Sequence, residues 1–153
     1  MNTVLVIDRE DDRQILVSAL EDAGFKVMVE VESGNGLRRA VEEVPGAIIL
    51  DEDMPPLDGV ELLPVLRSFT DSLIVVKGSG QGLAATQALL QGADLYLPRS
   101  VSVKEVLVRV HALLRRLLNG KNPSAKAYSA RASVNGNGSS NGNGIHNETF
   151  LLG

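Results

Sequence analysis

The sequence predicts a doubly wound α/β domain, one parallel sheet with helices on both faces, and three observations carry that expectation. Five short apolar runs alternate with five segments of helical periodicity. Within the runs, apolar residues follow one another without polar alternation, as in strands covered on both faces. Two runs drive straight into a carboxylate: Val4-Leu5-Val6-Ile7-Asp8 and Ile48-Ile49-Leu50-Asp51. In an open parallel sheet ligands bind outside the carboxyl ends of the strands, so Asp8 and Asp51 are expected to meet at one edge.

In chain order, the strands are expected from Thr3 to Ile7, Lys26 to Val31, Ala47 to Leu50, Leu73 to Val76 and Leu95 to Leu97. Ile15, Leu16, Ala19, Leu20 and Ala23 keep helical spacing after the first strand, and Gly24 supplies the C-terminal stop. Leu37, Ala40, Val41 and Val44 do the same after the second, and Pro45 ends them. After the third strand, Met54-Pro55-Pro56-Leu57-Asp58-Gly59 forces a turn. Val60, Leu62, Leu63, Leu66 and Phe69 then give a helix that Pro64 is expected to delay or kink. A fourth helix runs from Leu83 to Gln91 and closes at Gly92. The fifth opens on a capping box, Ser102-Val103-Lys104-Glu105, and carries one stripe of Val103, Val106, Leu107, Val110, Leu113, Leu114 and Leu117.

The 153 residues, 44% of them hydrophobic, suffice for one core with a surplus at the C-terminal end. From about Gly120 to Asn147 the apolar period disappears, and Val134 to Gly144 is rich in Asn, Gly and Ser. Such composition buries too little apolar area to offset its ordering entropy and reads as a flexible linker. The expected organisation is therefore a domain over 1–118, a linker over 119–148, and an apolar restart at 149–153. A formal charge of -4 argues against a general nucleic-acid surface, and without cysteine there is no thiolate or disulfide chemistry. No apolar stretch reaches the roughly 20 residues of a membrane span and no signal-peptide layout is present, so no membrane partner and a cytoplasmic location are expected. Asn147-Glu148-Thr149 fits a glycosylation tripeptide, a pattern that chance supplies readily in a polar tail. Gly80-Gln81-Gly82-Leu83-Ala84-Ala85 fits a dinucleotide fingerprint but falls in the fourth β-α unit, with no acidic residue ending the next strand; it reads as a glycine loop.

Val6-Ile7-Asp8, Leu50-Asp51 with Met54-Pro55-Pro56-Leu57-Asp58-Gly59, and Gly92-Ala93-Asp94-Leu95-Tyr96-Leu97 together resemble the receiver domain of two-component response regulators. The likeness runs from residue 3 to about residue 117, and the Val106–Arg116 ending resembles the OmpR/PhoB subfamily. The resemblance implies a flavodoxin-like (βα)5 fold with a parallel five-stranded sheet. It also implies that Asp51 stands where a histidine kinase delivers a phosphoryl group, that an acidic pair after the first strand holds Mg²⁺, and that Tyr96 is the switch aromatic. A hydroxyl residue ending the fourth strand and a Lys followed by a cis proline after the fifth would grip the phosphoryl oxygens.

This chain departs from that pattern around one pocket. Arg9 takes the second place of the acidic pair, Lys77 stands at the hydroxyl position, and Arg99-Ser100 replaces Lys-Pro. A cis bond before a residue other than proline costs about 3 kcal/mol, so the last loop is expected to be trans. Asp8, Asp51 and Asp53 would then face Arg9, Lys77 and Arg99 without a metal, since the cations repel Mg²⁺. Glu10 is acidic but one residue late for a ligand.

The leading expectation is an atypical, non-enzymatic receiver that controls an attached DNA-binding output in transcription regulation, without Mg²⁺-dependent phosphorylation and without a cofactor. The second is a conventional receiver phosphorylated on Asp51 by a histidine kinase, with Mg²⁺ held by Asp8 and Asp51. The third is a pseudo-receiver that senses a small anion in its cation-lined pocket. By the subfamily resemblance, two copies would pair through the fourth helix, fifth strand and fifth helix, with Asp94, Leu95, Glu105, Arg109, Arg115 and Arg116 on the face. Thr149-Phe150-Leu151-Leu152-Gly153 resembles the first strand of that subfamily's winged-helix domain, which would bring DNA as a partner.

Overall fold

A computed structural model of the protein describes residues 3–54 and 59–119. Five strands and five helices alternate: β1 (Thr3–Ile7), α1 (Arg13–Asp22), β2 (Lys26–Glu30), α2 (Ser33–Glu43), β3 (Ala47–Asp51), α3 (Gly59–Phe69), β4 (Leu73–Gly78), α4 (Ala84–Gln91), β5 (Leu95–Pro98) and α5 (Val103–Leu118). The strands form one parallel sheet in the order β2-β1-β3-β4-β5, the flavodoxin-like arrangement. The chain therefore winds first to one side of β1 and then to the other. The reversal opens a crevice at the carboxyl ends of β1 and β3, where Asp8 and Asp51 stand.

Side-chain parity distributes the core. Leu5 and Ile7, Ile48 and Leu50, and Ile74 and Val76 join Leu62, Leu63 and Leu66 of α3 and Ala88 of α4 in one buried cluster. Val4, Val6, Ile49 and Val75 have the opposite parity and are also fully buried. That face is left to α1 and α5, whose Leu16, Val17, Leu20, Val106 and Val110 are buried.

Several helix faces differ from the periodicity reading. Ile15, Val41 and Phe69 are exposed, and α1 buries Leu16, Val17 and Leu20 instead. In α2 the buried positions are small: Ser33, Gly36 and Ala40. A Cβ on Gly36 would lie 2.6 Å from Cδ1 of Ile7, so close packing of α2 on β1 excludes a larger residue there. Val44 leaves the helix in the left-handed conformation, with φ 46°, and its side chain is 70% exposed. Pro64 lies within α3 without delaying its start past Gly59. The capping box of α5 is half formed: Ser102 Oγ accepts the Glu105 N–H at 3.2 Å, whereas the Glu105 carboxylate turns to Arg109.

The described residues up to Leu114 form one compact unit. The Pro55–Asp58 turn, the Asn/Gly/Ser-rich linker beyond Asn119, the glycosylation tripeptide and the apolar restart at 149–153 lie outside the described residues.

Candidate functional site

β1 and β3 pair in register from Val4–Ala47 to Ile7–Leu50, so the residues that leave their ends fall side by side. Both carboxylates are almost wholly buried, Asp8 and Asp51 at 1% exposure each. Burying a carboxylate is expensive unless every oxygen finds a donor, and here each one does. Asp8 Oδ1 accepts the backbone N–H of Glu10 at 2.8 Å, and Oδ2 lies 3.4 Å from Lys77 Nζ. Asp51 Oδ1 accepts the N–H of Asp53 at 2.8 Å and Arg99 Nη2 at 2.7 Å, while Oδ2 takes Arg99 Nε at 3.2 Å.

The Arg99 guanidinium thus grips Asp51 with two nitrogens, the fork geometry that suits a carboxylate, and Nη2 also reaches Asp53 Oδ2 at 2.8 Å. The bond to Asp51 raises the Arg99 pKa far above its ordinary value, so the charge is permanent. Asp8 is shifted upward chiefly by burial, against the Glu10 N–H and the Lys77 charge that favour its ionised form.

Lys77 and Arg99 therefore enter the pocket, whereas Arg9 does not. Arg9 is exposed and makes no ion pair among the described residues. The turn explains this: the chain folds back so that the Glu10 N–H reaches Asp8 and the Glu10 carbonyl accepts Arg13 N–H, leaving Arg9 and Glu10 directed to solvent.

A divalent cation does not fit this donor set. Mg²⁺ asks for a site of net negative charge, and here Lys77 and Arg99 set two positive charges against Asp8 and Asp51 at the place the ion would occupy. Among the described residues no group of three or more His, Cys, Asp or Glu is placed to hold a metal.

The glycine loop after β4 completes the neighbourhood together with Glu52, which the sequence reading did not single out. Glu52 Oε2 accepts the Ser79 N–H at 3.0 Å, and Oε1 accepts the Tyr96 hydroxyl at 3.3 Å. The same hydroxyl accepts the Gly80 N–H at 2.9 Å. Burial foremost, together with the nearby Glu52 charge, raises the Tyr96 pKa. Strand parity was the available signal. Glu52 continues the alternation of Ile48 and Leu50, so it leaves β3 toward the cluster on which Tyr96 packs, and Asp51 leaves on the other face.

The residues assigned to a dimer face are partly engaged within the chain. Asp94 Oδ2 accepts Arg67 Nη2 at 3.0 Å and the Ile74 N–H at 2.9 Å. Glu105 and Arg109 pair one helical turn apart at 3.0 Å. Leu95 is half-buried, and Arg115 and Arg116 are exposed in the last turn of α5.

With this fold and this pair of strand-end carboxylates in view, comparison with known proteins gives a consistent answer. Residues 4–111 match the response regulator receiver domain, and the chain belongs to that family. It is 39% identical over 118 residues to the transcriptional regulatory protein PrrA of Mycobacterium bovis, covering 74% of this chain and 50% of that protein. It is 36% identical over 129 residues to the response regulator MprA of Mycobacterium sp. strain KMS, covering 81% and 55%. The chain thus spans about half the length of these relatives. Among solved structures it resembles a CheY-like receiver protein from Methanospirillum hungatei, with a TM-score of 0.73 at 21% identity over 77% of this chain and 97% of that one. The Francisella response regulator 1452 receiver domain gives 0.71 at 26% identity, over 75% and 98%.

Proposed function

We propose that this chain is an atypical receiver that signals through protein contacts without Mg²⁺-dependent phosphorylation of Asp51. The observation that carries the reading is the two-nitrogen grip of Arg99 on a fully buried Asp51. A phosphoryl group arriving at Asp51 would have to displace a bonded guanidinium, and the metal that ordinarily screens a carboxylate from an incoming anion would be repelled by Lys77 and Arg99. Lys77 beside Asp8 adds a second fixed cation at the place a metal ligand would need. The pocket's cations do the neutralising that metal and phosphoryl contacts do in a conventional receiver.

The output is proposed to be transcriptional, of the OmpR/PhoB-like kind. Two relatives that match this chain over its receiver part are named as a transcriptional regulatory protein and a response regulator, and each is about twice as long as the matched region. A DNA-binding domain attached after the 119–148 linker, and pairing of two copies through α4, β5 and α5, belong to the same proposal.

Thermal unfolding with and without millimolar Mg²⁺ tests it. The wild-type melting temperature is expected to be unmoved, whereas Lys77→Thr combined with Arg99→Lys is expected to gain a Mg²⁺-dependent rise by freeing oxygens of Asp8 and Asp51. A clear Mg²⁺ shift in the wild type would return the protein to the conventional class.

A further inference from the structure

The geometry points to Glu52 as a built-in anion that latches Tyr96 and the β4–α4 loop onto the end of β3, and through them sets the position of α4. Asp51 and Glu52 are consecutive, yet their side chains leave β3 on opposite sides and each takes hold of the β5 end: Asp51 through Arg99, Glu52 through Tyr96. Glu52 does more than pair with a hydroxyl. One oxygen receives the Ser79 N–H, the other the Tyr96 hydroxyl, and that hydroxyl in turn receives the Gly80 N–H. The carboxylate, the phenol and two backbone amides close one hydrogen-bonded ring that joins β5 to the chain leaving β3 and β4.

Gly78 is what lets the ring close. A Cβ there would stand 2.6 Å from Glu52 Oε2 and closer still to the Tyr96 hydroxyl. Beyond the ring, Gly80 and Gly82 take positive φ angles of 73° and 55°, and the bonds that hold this backbone before α4 begins at Ala84 are local to the loop, Gln81 N–H to Ser79 Oγ at 3.2 Å and Ala84 N–H to the Gln81 carbonyl at 3.1 Å. α4 is itself weakly anchored, with Ala88 its one fully buried residue among Ala84–Gln91. The helix end nearest the loop therefore takes its position from the Glu52 ring. Its outward side is uncharged, with Leu83 at 69% and Leu90 at 82% exposure seven residues apart and the exposed polar residues Thr86 and Gln87 between them. A change at Glu52 or Tyr96 would thus be read out as movement of that face.

The inference is independent of whether Asp51 is phosphorylated, and a separate measurement tests it: amide hydrogen exchange by NMR on the full chain. Ser79 and Gly80 N–H should be protected in the wild type. The diagnostic result is crossed. Glu52→Ala should speed exchange at Gly80 by about tenfold or more, although the Gly80 acceptor is Tyr96, and Tyr96→Phe should speed Ser79, although its acceptor is Glu52. Amides of Ile74 to Lys77 should keep their protection in both variants. Unprotected Ser79 and Gly80 in the wild type, acceleration confined to the amide that loses its own acceptor, or equal loosening of β4 would overturn the latch.

Discussion

Asp8 illustrates how a single buried carboxylate shapes the energetics of the whole pocket. Its pKa is raised from the ordinary 3.8, burial being the largest cause and the Glu10 N–H and Lys77 opposing it. A folded-state pKa above the unfolded one means that the native state holds the proton longer. The associated stability is complete below the ordinary carboxylate range and is lost as pH rises through the raised value. Asp8→Asn should therefore match the wild type in acid and gain on it as pH climbs past about 4. Urea midpoints across pH 3 to 7 check this, and a wild type that gains on Asp8→Asn over that window would show the sign to be wrong. At this scale the sequence revealed the carboxylates and two of the three cations. Asp8 and Asp51 were legible because each directly ends an apolar run. Lys77 and Arg99 were legible through the resemblance, each standing where the receiver pattern has a different residue. Arg9 misled because a residue next to Asp8 in sequence need not share its direction; the backbone turn onto Asp8 Oδ1 sends it outward.

At the scale of elements, the five strands could be read to within two residues, most plainly β1, β3 and β4, whose burial on both faces leaves an unambiguous apolar signature. Helix faces were harder. Apolar residues in α1, α2 and α3 occupy more than one face, and periodicity does not say which of them the sheet covers, so Ile15, Val41 and Phe69 were placed inward when they lie outside. Glycine and alanine carry little hydrophobic signal, which hid the packing of α2 through Gly36 and Ala40. The end of α2 shows a local conflict with a consequence. Val44 holds a left-handed conformation that β-branched residues tolerate poorly, at a cost of about 1–2 kcal/mol, and being largely exposed it recovers little of that by packing. Val44→Gly should stabilise the domain by about 0.5–1 kcal/mol once glycine's greater unfolded-state entropy is allowed for. A raised urea midpoint at unchanged slope would agree; a lowered midpoint would mean that Val44 packs more than its exposure implies.

At the scale of the whole molecule, the proposed closed pocket would act through a proposed assembly. The proposed pairing through α4, β5 and α5 would rest more on the uncharged α4 face than on cross-subunit ion pairs, because Asp94 is committed to Arg67 and Glu105 to Arg109 within one chain. Light scattering is expected to give twice the chain mass at micromolar concentration with little sensitivity to salt, and a single-chain mass at about 1 mM would remove the pairing. The central claim is narrower: Arg99 keeps Asp51 from acting as a phosphoryl acceptor. Intact-mass spectrometry after incubation with acetyl phosphate and Mg²⁺ addresses it most directly. The wild type should keep its mass, and a labile phosphoryl adduct that maps to Asp51 in the unaltered protein would contradict the account.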